Sequence, residues 1–366
     1  MPNITDDELF NRIVAKDNLY FSYEETLQGD EKYTIEAMLF AADEVYNLKE
    51  LRGSLIDETY TFDGYISFPV FEPKERIIDA PHFKDKIVQL AMMNVLKEIY
   101  NPCFIYDSYA CIDGKGTHRC ADRIQKFMRR ARWEYGEDAY VIKGDIKKYF
   151  YSIDREILKQ LLTKKIKCQK TLRLFYKIID SADVLSPLGL PLGNTTSQLS
   201  ANIYLNELDQ FCKRKLGIKY YVRYMDDFFI MCRNKTEANG ILSLIKEFVA
   251  VVLHLELNKG KTKLFPVNQG VNAIGYKIYP THMLLRNDSK KKIKRKTKAM
   301  PDLIKEGKLT IKTAEQMLNS WKGHAEHANS YNFIQKLIEK NDFIYVKKKG
   351  KKVTLKINVN KLEVVA

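Results

Sequence analysis

Three carboxylates stand at the ends of apolar runs, where they could do chemistry. Asp226 and Asp227 interrupt the stretch Tyr221-Val-Arg-Tyr-Met-Asp-Asp-Phe-Phe-Ile-Met-Cys232, between a run rich in Tyr and Val and a run rich in Phe, Ile and Met. Both flanks read as strands and the Asp pair as their turn. Two like charges at the tip of an apolar hairpin raise the cost of ionising one another unless a cation or a basic ligand neutralises them. Metal chemistry is one reading; an Asp-containing turn solvated at a sheet edge is the other. Asp145 closes the apolar run Ala139-Tyr-Val-Ile-Lys-Gly-Asp145. Strand ends of this kind are where open sheets place ligands, although an acid there also simply ends a strand. If the strands are neighbours in one sheet, the three acids form an oxygen-rich cage of the type Mg²⁺ prefers, with substrate phosphates as further ligands. Two such ions would stabilise the attacking and leaving oxygens of an in-line phosphoryl displacement, so the chemistry implied is nucleotidyl transfer.

Other elements must bring substrate to these acids. Leu188-Gly-Leu-Pro-Leu-Gly-Asn-Thr-Thr-Ser-Gln198 is a Gly- and Pro-punctuated loop that feeds a helix expected over Leu199 to Leu216, and small residues at a helix N-terminus let backbone approach a ligand closely. Phe71-Glu-Pro-Lys-Glu-Arg-Ile-Ile-Asp79 carries Lys74 and Arg76 on one side of an extended piece, which suits a phosphate or, equally, an edge strand charged against aggregation. Apolar spacing predicts an amphipathic helix over Thr34 to Leu51, with Ile35, Met38, Leu39, Ala42, Val45, Leu48 and Leu51 inward and Gly53 as its stop. Two short strands are expected around Asp63-Gly64, then a helix from Phe83 to Tyr100 and a basic one around Ile124 to Arg132. A helix capped by Asp154 follows the first acid, and Ala238 to Leu255 is helical after the Asp pair. Leu257 to Phe265 and Ala273-Ile-Gly-Tyr-Lys-Ile-Tyr279 read as strands, and Tyr345 to Ala366 as a basic hairpin around Gly350.

Composition bounds the function classes. A chain of 366 residues, 45% hydrophobic and 29% charged, reads as globular with two or three subdomains. Its charge of +15 points to a polyanionic partner, with solubility as part of the explanation. The 22 Tyr and 18 Phe serve stacking or core packing alike. Six cysteines without a CxxC pair indicate neither a zinc ribbon nor a redox motif and suggest free thiols in a reducing cytosol. The start is acidic and no run of about 18 apolar residues occurs, so a cytoplasmic protein without a membrane partner is expected. Arg286 to Lys298 holds eight Lys or Arg against one acid and marks a boundary near 280. His324 and His327 lie three apart on a helix, a metal-compatible spacing, but no Cys or carboxylate partner is apparent, so packing or backbone contact is expected.

Taken in order, the strand ending in Asp145, the loop Leu190-Pro-Leu-Gly-Asn-Thr-Thr-Ser-Gln198, Tyr224-Met-Asp-Asp227 and Ala273-Ile-Gly-Tyr276 resemble the successive palm motifs of reverse transcriptases. The resemblance runs from Pro73 through Trp321-Lys-Gly-His-Ala325, most of the chain. It implies an α+β right-hand polymerase fold with fingers, an antiparallel palm sheet with helices, and a helical thumb. The divisions implied are an N-terminal extension and fingers over 1–140 with part of 155–190, a palm over 141–280, a thumb over 281–345 and a basic extension over 346–366. Where the retroviral pattern has Gln before the Gly and Pro after the Ser, this loop has Leu192 and Gln198. That form, Phe71-Glu-Pro-Lys-Glu-Arg76 and the segment Trp321 to Asn329 resemble reverse transcriptases of diversity-generating retroelements.

The resemblance implies an error-prone, adenine-mutagenised cDNA copied from a template-repeat RNA, with deoxynucleoside triphosphates as substrates and a small basic accessory variability protein, an oligomeric helical bundle, as partner. Asp145 and Asp226 would hold two Mg²⁺ ions, with Asp227 beside them. Lys74 and Arg76 would grip the triphosphate, Phe150 would act as steric gate against a ribose 2′-hydroxyl, and Leu192, Gly193 and Gln198 would line the nucleotide. Lys261 would assist the leaving pyrophosphate, and Gly275 and Tyr276 would form the primer grip. Loss of a hydrogen-bonding Gln at Leu192 removes a polar constraint on the incoming nucleotide and favours low fidelity. The rivals are another bacterial reverse transcriptase, of group II intron, retron or abortive-infection type, and a non-catalytic nucleic-acid-binding palm.

Overall fold

Helix Phe83–Tyr100 shows how the chain builds its interior: apolar residues recur around its whole circumference, so Ile87, Val88, Ala91, Met92, Val95 and Leu96 are all buried. A helix apolar on every side is covered on every side, and Lys16–Thr26 and Thr195–Gln210 pack against it. The computed structural model describes residues 6–71, 75–181, 186–350 and 352–362, and it is α+β, with antiparallel strand pairs among many helices. The strands are β1 (Tyr65–Val70), β2 (Arg76–Pro81), β3 (Tyr140–Asp145), β4 (Tyr221–Tyr224), β5 (Asp227–Cys232), β6 (Lys263–Pro266), β7 (Val271–Ala273), β8 (Tyr276–Ile278), β9 (Met283–Leu285), β10 (Ile344–Lys349) and β11 (Lys352–Ile357).

Two compact units result, each made of three chain segments. The first comprises Met1–Gly116, Lys143–Ile230 and Asn239–Lys263; the second comprises Thr117–Ile142, Met231–Ala238 and Leu264–Ala366. A four-stranded sheet ordered β4-β5-β3-β6 carries the acids, and its Asp-bearing residues all belong to the first unit. In the second unit, β7-β8-β9 form a meander. Helices Asn287–Lys305, Ile311–Glu326 and Tyr331–Glu339 join the β10–β11 hairpin around a core that includes Met300, Leu318, Leu337, Phe343 and Leu355. That hairpin turns at Gly350 as expected.

Several expectations need correction. Residues Thr34 to Leu51 form two helices, Ile35–Ala42 and Glu44–Ile56, because the Asp43 side chain accepts the Tyr46 N–H and starts a new helix. Ile35, Met38, Leu39 and Val45, expected inward, are exposed, and the buried residues are Ala37, Leu51 and Leu55. Gly53 lies inside the second helix, which runs on to Ile56. Strand β1 pairs with β2 and not with residues before Gly64. The helix after the loop begins at Thr195 and passes into a π-helix at Phe211–Lys215. Leu257 makes only a single bridge, to Ile146, ahead of β6. Ala273 to Tyr279 is no single strand, because Ile274 and Gly275, at φ 48° and 85°, reverse the chain between β7 and β8. As expected, the side chain of Asp154 caps helix Arg155–Thr163 by accepting the Glu156 and Ile157 N–H groups. All six cysteines are free thiols. Among the described residues no helix is long and apolar enough to cross a membrane.

Candidate active site

The Asp pair is placed by a two-residue turn. Strands β4 and β5 pair with Tyr224 opposite Asp227, so Met225 and Asp226 form the turn and Asp227 is the first residue of β5. Such a turn needs positive φ, and Met225 sits at φ 53°. A side chain in that region costs free energy that its surroundings must offset. The offset comes from Arg223, only 1% exposed, whose Nη1 donates to the Met225 carbonyl at 3.0 Å. Its Nε and Nη2 donate to the two oxygens of buried Asp209, each at 2.8 Å, and Nη1 also donates to Asn202 Oδ1 at 3.1 Å. The Tyr221 hydroxyl donates to Asp209 Oδ1 at 2.7 Å. Arg223 and Asp209 thus hold the turn from beneath, and neither was read from the sequence as a site residue. The available signal was a cation inside an apolar strand, which demands a buried carboxylate somewhere in the fold.

The third acid arrives on the neighbouring strand. Asp145 ends β3, buried, and its carbonyl accepts the Asn258 N–H at 2.8 Å. Gly144 allows the approach of β5, since a Cβ there would lie 2.0 Å from the ring of Phe228. Lys261 Nζ donates to Asp145 Oδ2 at 2.5 Å, while Asp145 Oδ1 is buried with no hydrogen-bond partner. Asp227 Oδ1 is likewise buried and unpartnered, with Lys143 Nζ 3.8 Å away. Burial pushes the Asp227 carboxyl up to about 6, with Lys143 opposing and the charges of Asp226 and Asp145 adding to the shift. Asp226 is raised by burial and by Asp145, against the pull of Lys261 and Arg76. Burial disfavours the charge on Lys261, but its bond to Asp145 and the attraction of Asp226 and Asp227 outweigh this and raise its pKa.

The pattern is one of excess buried negative charge. Among the described residues, no group of three or more His, Cys, Asp or Glu side chains already forms a metal cage. The orphaned oxygens of Asp145 and Asp227 and the mutual repulsion of the three acids nevertheless fit hard divalent cations that take part of their coordination from substrate phosphates.

The loop and the β1–β2 hairpin meet at backbone distance. Leu190 N–H donates to the Phe150 carbonyl and Asp79 N–H to the Leu192 carbonyl, both at 2.8 Å. Gly193, at φ 147°, is required there because a Cβ would lie 2.3 Å from the Asp79 carbonyl oxygen. Asn194 Nδ2 donates to the Tyr65 hydroxyl at 2.8 Å, and the Thr195 N–H to Gln89 Oε1 at 3.0 Å. These bonds seat β2, whose first residue Arg76 is exposed yet acts electrostatically on Asp226. Phe150, on the short helix Tyr149–Ser152, and Leu192 are half-buried, and Gln198 is exposed in the first turns of its helix. Lys74 lies outside the described residues.

The first unit therefore gathers Asp145, Asp226, Asp227, Lys261 and Arg76. Gly275 and Tyr276 belong to the second unit. A Cβ on Gly275 would lie 2.9 Å from His324 Cε1, and the Tyr276 hydroxyl donates to the His324 carbonyl at 2.9 Å. His327 stacks on His118 at 4.2 Å and lies 3.0 Å from Asp122, so a carboxylate neighbour does exist, and the histidines pack the β7–β8 turn.

Residues 72–278 match the family model described as "Reverse transcriptase (RNA-dependent DNA polymerase)". The group II intron-encoded protein LtrA of Lactococcus lactis subsp. cremoris is 25% identical over 349 residues, covering 74% of this chain and 57% of that protein. Protein YkfC of Escherichia coli is 25% identical over 256 residues, covering 58% of this chain and 65% of YkfC. The chain thus spans less than two thirds of the length of these curated relatives. Among solved structures, telomerase of Candida tropicalis in complex with a fragment of telomeric RNA aligns over 81% of this chain and 58% of its own, with TM-score 0.47 and 13% identity.

Proposed function

Because the chain belongs to the reverse transcriptase (RNA-dependent DNA polymerase) family, matched over more than half its length, we propose that it copies an RNA template into cDNA with its own catalytic centre. The observation that carries this reading is the pair of buried, unpartnered oxygens on Asp145 and Asp227, set beside Lys261 and Arg76. A pure nucleic-acid binder gains nothing from buried acids facing a phosphate backbone. Asp145 and Asp226 would hold two Mg²⁺ ions with Asp227 beside them, and the ions supply charge stabilisation at the attacking and leaving oxygens.

The chain's own residues do the rest. Arg76, with Lys74, binds and orients the triphosphate. Lys261 keeps a proton beside Asp145, within reach of a departing pyrophosphate. Phe150, next to the loop that Leu190 and Leu192 form, limits the space at the sugar. Gly193 and Gln198 border the same nucleotide, and Gly275 and Tyr276 hold the primer end. Fingers, palm and thumb take the divisions given above.

We assign the chain to the diversity-generating type on the strength of Leu192 and Gln198 in its loop. An apolar Leu192 leaves the nascent pair without a side-chain hydrogen bond, consistent with adenine misincorporation aided by a small basic accessory protein. The similarity to LtrA and YkfC supports a second reading, a group II intron-like enzyme of ordinary fidelity. Primer extension on an RNA template with Mg²⁺ and deoxynucleotides tests the centre: wild type should extend and Asp226→Ala should not, and equal activity overturns the catalytic assignment. Sequencing the cDNA decides the type. Errors concentrated at template adenines support the first reading, and an even, low error spectrum with and without the accessory protein supports the second.

A further inference from the structure

The N-terminal 58 residues contradict the rest of the chain in charge, and they expose a group of large apolar side chains. They carry fourteen acids against five bases, a net of −9 within a chain of +15. On them, Tyr33, Ile35, Met38, Leu39, Val45 and Tyr46 are between 53% and 75% exposed. Ile35, Met38 and Leu39 follow the three-and-four spacing of one helical stripe, and that stripe faces outward. Helix Ile35–Ala42 buries only Ala37.

Specific contacts build this orientation. Glu36 accepts the Phe83 N–H at 2.8 Å and lies 2.6 Å from His82 Nδ1, tying the helix to the start of Phe83–Tyr100. Lys86 donates to Glu31 at 2.6 Å, and Phe40 packs at 5.4 Å from Phe83 and 5.6 Å from Tyr23. Glu31, Glu36 and Phe40 serve as anchors, and Ile35, Met38 and Leu39 are presented.

We propose that this face is a protein-docking surface and that its occupant is a basic protein with an apolar patch of its own. Large apolar side chains exposed at helical spacing and close together in the chain mark an interaction surface. Lys86 and Arg173, from outside the segment, neutralise Glu31 and Glu58, and the negative excess that remains repels a phosphate backbone and an anionic lipid surface alike. It also disfavours a second copy of this chain seated by the same face, where the like charges would meet. Acidic flanks around an apolar stripe instead complement a cationic partner, steering its approach while Leu39 and Val45 supply the buried contact. The identification of that partner with the small basic accessory protein rests on the diversity-generating reading above.

The test is titration of the full chain with that accessory protein, followed by anisotropy and by co-elution. Wild type should bind with an affinity that falls as salt rises. Leu39→Glu with Val45→Glu should weaken binding on the order of 30-fold or more, as loss of central apolar anchors does. Glu50→Lys, at an exposed position of helix Glu44–Ile56, should weaken it and flatten the salt dependence. Melting temperature and primer extension without the partner should match wild type in both variants, since Leu39, Val45 and Glu50 are exposed and none belongs to the catalytic centre. Unchanged binding by both variants overturns the surface while leaving the accessory-protein reading intact. Failure of wild type to bind, together with faithful copying of adenines, overturns the diversity-generating reading and the occupant with it. Salt-sensitive self-association of the wild-type chain, abolished by Leu39→Glu with Val45→Glu, would assign the face to a second copy and overturn the proposal.

Discussion

Two antiparallel hairpins in the first unit bring charge to the same acid cluster, and they are built in opposite ways. The β4–β5 hairpin is buried along both strands, and its turn is clamped from below by Arg223 and Asp209. The β1–β2 hairpin is exposed along nearly all of β1 and the start of β2, and it is seated from one side by the bond from Asp79 to Leu192. One presents anions that burial makes costly to ionise; the other presents Arg76 in solvent. The difference follows from what each must meet. On the proposed function, oxygens that hold a metal need fixed geometry before substrate arrives, whereas Arg76 would meet the triphosphate from solvent.

The largest effects should come from the buried hairpin. Asp226→Asn should lower the rate of primer extension on the order of 10³-fold or more with the fold intact, as loss of transition-state charge stabilisation does; single-turnover kinetics and a melting curve measure the two separately. Arg223→Met should act on both at once. It leaves Asp209 buried and unpaired, a loss of about 3–5 kcal/mol, and frees the Met225 carbonyl, so melting temperature and rate should fall together. Asp209→Asn with Arg223→Met should recover stability before activity, since it removes the orphaned charge without restoring the turn. If Arg223→Met instead left the rate unchanged and lowered only stability, the clamp would have no part in placing Asp226.

The exposed hairpin should respond more mildly and differently. Gly193→Ala places a Cβ at 2.3 Å from the Asp79 carbonyl oxygen, so the loop and β2 must separate. Strain of about 1–3 kcal/mol is the expected scale. It should appear mainly as a rise of roughly tenfold in the KM for deoxynucleotide, with the melting temperature little changed. A drop in kcat with KM untouched would show that the two hairpins are not independent.

What could be read beforehand follows the same division. Asp145, Asp226 and Asp227 were legible because acids that end apolar strands are locally anomalous, and Asp154 was legible because a cap acts within its own helix. Arg223 and Asp209 were not, because the residues are fourteen apart in the chain and only the fold makes them a pair. Ile35, Met38, Leu39 and Val45 kept their periodicity straight through Asp43, which hid both the break and the outward orientation. A periodic pattern reports that a face exists, and it does not say whether this chain or another molecule covers it. The need for Gly193 was visible only as flexibility; the actual reason is the carbonyl of Asp79 standing where a Cβ would go.

The smallest effect tests whether the acids are held against their own preference. Asp227 has a folded-state pKa of about 6, above the ordinary carboxylate value near 3.9. Between those values the folded chain binds more protons than the unfolded one, so the contribution of Asp227 to stability is full below about pH 4 and is lost as pH rises through about 6. In chelator, wild type should therefore lose melting temperature relative to Asp227→Asn between about pH 4 and pH 6, by a few degrees at most. Adding Mg²⁺ at pH 7 should raise the wild type more than the variant, because the cation offsets a charge only the wild type carries. A wild type and a variant that track each other across that range, with and without Mg²⁺, would mean that Asp227 is stabilised by Lys143 alone and that the buried hairpin is not held ready for a metal.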